Sequence, residues 1–245
     1  MRARRTSPPP AARPQRLQSV DLLRGVAIGL MVFYHFCYDL GYYGFADFDF
    51  YDSPFWTSFR TLILSLFLGL VGVSLWLAQG RGVKWRKVLR RTALIAVNAL
   101  LISAVTWQLF GERFIYFGVL HFIVVASLLG LLFLRFYRLN LVLGLALLAL
   151  GAYSHPGFDP RAWNWIGFMT HKPATEDYVP LVPWFGVVLL GLFAARWLSR
   201  RGSLSAAREP AWVQRARLLP LAGRHSLLIY MLHQPLLMGV LGLFA

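Results

Sequence analysis

The sequence predicts an all-α fold: a polytopic integral membrane bundle of about seven transmembrane helices, with the N-terminus inside and the C-terminus outside. Three observations carry this expectation. Hydrophobic residues make up 58% of the chain and charged ones only 14%, the apolar residues gather in seven long runs, and the 25 basic and 10 acidic side chains separate between alternate loops. A water-soluble domain carries about 25% charged residues, so a mean hydropathy of +0.56 places the chain in lipid. The net charge of +15 therefore reads as a topology signal, and no nucleic-acid partner is expected.

The elements follow in order. Residues 1–16, with Arg2, Arg4, Arg5, Arg13 and Pro8-Pro9-Pro10, read as a disordered basic cytoplasmic tail. The apolar run behind it is too long for a cleaved signal and lacks a small-residue cleavage site. Residues 17–245 read as one membrane domain with runs at Leu22–Gly41, Thr57–Gln79, Thr92–Phe110, Phe114–Arg135, Leu139–Tyr153, Leu181–Leu198 and Leu218–Phe244. The fifth is shorter than the ~17–25 residues that cross a hydrocarbon core, so a tilted or half-buried helix is expected there. Gly69 and Gly72 read as points of close helix packing. Cys37 stands alone and forms no internal disulfide.

Charge tests the count. With the N-terminus inside, the inner segments hold 19 basic and two acidic residues, and the outer segments hold four basic and eight acidic. That division follows the positive-inside rule and implies an inner (plasma) membrane protein. Arg24 and Arg224 remain within predicted spans.

Ionisable side chains inside a span cost roughly 2.5–3.5 kcal/mol on insertion scales, so they mark function. At roughly 100° per residue, Asp21, Arg24, His35 and Asp39 share one face of the first helix. Asp21 is expected to pair with Arg24, and Asp39 to accept a hydrogen bond from His35. Counting rise per residue sets His35, His121 and His233 at a common depth, with Ser226, Tyr230 and His233 on one face of the last helix. Arg24 and Arg224 sit near the cytoplasmic mouths, where a planar donor fork suits phosphate. No two histidines have i,i+4 spacing on one helix, and no metal site is expected.

Arg16-Leu-Gln-Ser-Val-Asp21-Leu-Leu-Arg24-Gly25, continuing through Met31-Val-Phe-Tyr-His35-Phe36 to Tyr38-Asp39-Leu40, resembles the opening of the heparan-alpha-glucosaminide N-acetyltransferase catalytic-domain family. Gly118-Val-Leu-His121-Phe122, Asp177-Tyr-Val-Pro-Leu-Val-Pro-Trp184, Gly223-Arg224-His-Ser226-Leu-Leu-Ile-Tyr230 and His233-Gln234-Pro235 are similar to later blocks. Arg24 followed by ten residues and His35 resembles the Arg-x10-His signature of the wider transmembrane acyltransferase superfamily. The resemblance implies transfer of an acyl group, acetyl above all, from cytoplasmic acetyl-CoA or another acyl-CoA to an amine or hydroxyl on a glycan, lipid or small molecule outside. It implies acyl-CoA binding by Arg24, with Asp21 and Arg224 beside it, and catalysis at His35, with Asp39, His121 and His233. Asp177, Trp184, Ser226 and Tyr230 are assigned to substrate binding. A small proton-coupled permease and a non-catalytic membrane scaffold are the other readings, and self-association stays open.

Overall fold

The computed structural model describes residues 16–80, 82–175 and 177–245, and every regular element among them is helical. The tail expected over residues 1–16 lies, Arg16 apart, outside the described residues, as do Arg81 and Glu176 of the charge count. The helices are α1 (Gln18–Tyr42), α2 (Pro54–Gln79), α3 (Trp85–Phe110), α4 (Val119–Phe133), α5 (Arg138–Leu150), α6 (Arg161–Asn164), α7 (Leu181–Arg200), α8 (Ala211–Arg215), α9 (Leu218–Arg224) and α10 (Ser226–Leu241). Four of them, α1, α2, α3 and α7, are long and apolar enough to cross a membrane; α4, α5 and α10 are apolar but shorter.

The differences from the sequence reading have local causes. The fourth run becomes a helix only from Val119, because Phe114–Phe117 form a non-helical bend that leads into Gly118, whose φ of −94° and ψ of −171° are not helical. The last run breaks in two at His225, where φ −103° and ψ 19° interrupt the helix just after Gly223. The break comes where Gly223 is pressed against α1: a Cβ there would stand 1.8 Å from the Asp21 carbonyl oxygen. Gly25 makes the reciprocal approach, 1.9 Å from the Leu219 carbonyl. Only glycine lets two helix backbones meet so closely.

Helix α7 forms the centre, packed between α2 and α5. Leu68, Val71 and Leu75 of α2, Phe122 and Ala126 of α4, and Val188, Leu189 and Leu192 of α7 make the main core. As expected, Gly69 and Gly72 are sites of close packing: a Cβ on Gly72 would lie 2.1 Å from the Val188 carbonyl, and one on Gly191 2.2 Å from that of Gly69. A second core joins Ile28, Met31, Tyr34 and Cys37 of α1 to Ile63 of α2 and to Phe50 and Trp56. Helix α3 is anchored through Ile95 and Ala99 against Leu120 of α4, and its Leu94, Val97, Leu100 and Leu109 stay exposed.

Candidate functional site

A cavity of about 2690 Å³ runs through the bundle, lined by α1, α2, α3, α4 and α10 together with the loops before α7. Single-ligand pockets commonly enclose ~300–1,000 Å³, so this space is large enough for two substrates in line. Asp21, Arg24, His35 and Asp39 all face it. The polar stripe predicted along the first helix is therefore the cavity's wall.

One end is basic. Arg16, Arg24, Lys84, Lys87, Arg91 and Arg224 line it, around one buried carboxylate. Asp21, whose side chain is 3% exposed, receives Arg16, Arg24 at 3.0 Å and Arg224 at 3.3 Å. The Asp21–Arg24 pair is the expected one. Arg224 joins it from the end of α9, where the neighbouring Gly223 is pressed against Asp21 of α1. Arg24 also donates to Ser74 Oγ on α2 at 2.7 Å. One carboxylate cannot neutralise three guanidiniums, so this end presents an excess of planar donors suited to phosphate.

Deeper in the cavity, His35 of α1 and His233 of α10 meet edge to face, with ring centroids 4.8 Å apart. The expected hydrogen bond from His35 to Asp39 is absent. The His35 ring leans back along its helix, as helical side chains do, and its Nδ1 lies 2.9 Å from the Met31 carbonyl. Asp39, 1% exposed, instead accepts from Gln234 Nε2 at 2.7 Å. The Nδ1 of His233 likewise sits 2.7 Å from the Tyr230 carbonyl. A carbonyl can only accept, so each Nδ1 carries the hydrogen and each Nε2 carries a lone pair. The Nε2 of His233 is fully buried without a partner, along with Asp39 Oδ2 and Gln234 Oε1; that of His35 is not among these atoms. Both rings line the cavity, which thus holds two imidazole lone pairs beside the unpartnered Asp39 and Gln234 oxygens.

His121 does not line the cavity. Because α4 begins at Val119, His121 falls in its first turn and serves as a cap. Its Nδ1 accepts from the Gly118 N–H at 3.3 Å, and its Nε2 is 3.1 Å from Ser103 Oγ, which donates to the Ile115 carbonyl at 2.7 Å. Both ring nitrogens are engaged, so His121 differs from His35 and His233 in serving the start of α4. Depth counted from Phe114 placed His121 several residues too far into its helix.

Beside the histidines, the cavity wall is built where separate sequence blocks touch. Asp177 Oδ2 accepts from the Val119 N–H at the start of α4 at 3.0 Å and from the Tyr230 hydroxyl at 2.9 Å. A Cβ on Gly118 would come within 2.4 Å of the same oxygen, which explains a glycine there. Burial pushes the Asp177 carboxyl above the usual carboxylate range, opposed by those two hydrogen bonds and by His121 and Lys172. Asp177, Tyr178, Trp184, Ser226 and Tyr230 all face the cavity, as does Lys172. Among the described residues no group of three His, Cys, Asp or Glu side chains is close enough to hold a metal.

Gln234, Arg91 and Ser74 belong to this site and were not singled out from sequence. Arg91 was signalled by its spacing from Lys84 and Lys87, which puts the three near one face of α3; Ser74 on α2 carried no signal. A family model described as heparan-alpha-glucosaminide N-acetyltransferase, catalytic, matches residues 16–235. No curated protein and no solved structure matches the chain.

Proposed function

The chain belongs to the heparan-alpha-glucosaminide N-acetyltransferase catalytic family, and from that premise we propose that it is a multi-pass membrane acyltransferase that moves an acetyl or other acyl group from cytoplasmic acyl-CoA to an acceptor on the outer face. The family supports a membrane transferase. The orientation proposed is N-in, C-out, in the plasma membrane, with α4, α5 and the α9–α10 pair completing seven crossings; the basic end of the cavity is then cytoplasmic. The observation that carries the reading is the His35–His233 pair inside a cavity whose one end collects six cationic side chains.

In this reading the CoA phosphates rest on Arg24, Arg224 and Arg91, with Asp21 holding the first two in place. The pantetheine arm reaches along the cavity and brings the thioester to His35. The acceptor is held by Asp177, Trp184, Ser226 and Tyr230. His35 Nε2 takes the proton from the acceptor amine or hydroxyl as that atom bonds to the thioester carbon; the C–S bond breaks, and the proton passes to the CoA thiolate. General base work of this kind contributes typically 10²–10⁴-fold. Between the two steps the proton resides on the His35 imidazole. His121 acts at a distance, fixing the α4 start against which Asp177 sits.

Purified protein supplied with acetyl-CoA and a panel of amino sugars and polyols should release CoA thiol in an acceptor-dependent way. His35→Ala should abolish this while keeping the parent's elution profile. Full turnover in that variant would overturn the reading.

A further inference from the structure

A second basic group lies outside the cavity. Arg135 and Arg138 flank the α4–α5 turn, and Arg196, Arg200 and Arg201 end α7; none of the five lines the cavity. Four of the five guanidiniums, all but that of Arg138, are laid on aromatic rings. Tyr137, stacked on Phe193 at 4.9 Å, carries Arg200 at 4.2 Å and Arg196 at 5.6 Å, and Arg196 also lies 5.4 Å from Trp76. Arg201 lies 4.0 Å over Trp197 and Arg135 4.8 Å over Phe136. Arg196 Nη1 donates to the Arg135 carbonyl at 2.7 Å, tying the turn to the helix.

Among the described residues none of these five arginines forms an ion pair with a carboxylate. The C-terminus of α7 supplies only about half a negative charge, which leaves most of the five uncompensated. A guanidinium stacked by its face keeps its edge donors free, and the planar fork matches a phosphate. Beside the group lies apolar surface that continues along the bundle: Trp197 is 37% exposed, Leu139 40% and Val142 61%. Charge and apolar track together describe an amphiphile.

We propose that this patch binds the phosphate headgroup of an anionic phospholipid in the leaflet surrounding this end of the bundle, with its acyl chains along α5 and α7. Basic pockets between membrane helices recognise such headgroups, and the attraction grows with each Lys or Arg near the surface. The inference rests on the membrane reading of α5 and α7 and not on acyl transfer.

The test uses the full-length protein exchanged into phosphatidylcholine with and without phosphatidylglycerol, with bound lipid read by native mass spectrometry. The parent should retain phosphatidylglycerol, and the Arg196→Gln/Arg200→Gln double variant should retain roughly tenfold less. Arg86→Gln/Arg90→Gln, which removes equal charge from α3, should match the parent. Equal retention by the parent and the α7 variant, or equal loss in both double variants, would overturn the proposal. So would displacement by glycerol phosphate at concentrations comparable to the lipid, which would identify a soluble phosphate as the ligand. Should the α7 double variant not fold, Arg200→Lys keeps the charge and loses the fork; it is expected to weaken retention severalfold, and unchanged retention overturns the proposal.

Discussion

His35 and His233 stand near opposite ends of the chain, yet their rings meet at 4.8 Å and 71° inside the cavity. Each gives Nδ1 to a backbone carbonyl of its own helix, so neither ring can rotate to exchange its nitrogens without losing that bond. The pair is fixed as two bases in the cavity wall, with the Nε2 of His233 buried.

The two histidines are expected to differ in kinetic weight. His35→Ala should lower acceptor-dependent thiol release by at least about 10²-fold, and His233→Ala by distinctly less, because the His233 Nε2 is sealed from the cavity. Equal losses would mean that both rings act on the acceptor directly.

Asp21 holds Arg16, Arg24 and Arg224 at once. Asp21→Asn should lower the thermal midpoint in detergent, by an amount corresponding to on the order of 3 kcal/mol, since removing one partner leaves partly buried charges uncompensated. Arg24→Ala should weaken acetyl-CoA binding about tenfold while costing less stability. Unchanged affinity would leave Arg24 as the structural partner of Asp21.

Three glycines of α1 and α9 separate packing from propensity. Gly25→Ala and Gly223→Ala drive a methyl group into a facing backbone carbonyl, and each should lower stability by at least about 1–3 kcal/mol. Gly29 has nothing within 4 Å of a Cβ, so Gly29→Ala should be neutral or stabilising by up to about 1 kcal/mol. Thermal unfolding of the three variants side by side tests the α1–α9 contact.

Asp177 sets a pH dependence. Its folded-state pKa is raised, first by burial, so between its unfolded value near ~3.9 and the raised value the folded protein binds more protons than the unfolded chain. Its contribution to stability is therefore present at low pH and lost as pH rises through that window. Asp177→Asn, which keeps an acceptor for Val119 and Tyr230, should flatten this part of the midpoint-against-pH curve. An unaltered curve would show that Asp177 does not titrate there.

Much of the architecture was legible from apolar run length and charge, because lipid imposes those on any helix it surrounds. The ends of α1, α2 and α7 fall close to their apolar runs for that reason. What escaped was set by contacts between segments. Nothing in Leu218–Phe244 taken alone stops the helix at His225; the stop follows from the Gly223–Asp21 backbone approach. The site was legible where it rests on one helix, as in the stripe from Asp21 to Asp39, and illegible where partners are chosen across helices. Asp39 lies one turn from His35, but it takes the Gln234 amide from α10. Asp177 and Gly118 are recognisable as separate blocks, yet only their contact shows that one carboxylate shapes the start of α4.

The continuous cavity brings an obligation unrelated to chemistry. A cell membrane holds an electrical potential, and each elementary charge that crosses it releases about 2.3 kcal/mol per 100 mV. A passage lined by charged groups such as Arg24, Asp39 and Asp177 would dissipate that potential if it crossed the membrane and water filled it throughout. Met31 on α1 and Phe67 on α2 line the same passage between its polar stretches, where apolar side chains of this size act as a dewetted seal. Trimming either to alanine is expected to let protons leak, read as faster collapse of a pH gradient across vesicles that hold the protein; an unchanged rate would show that neither side chain seals the passage.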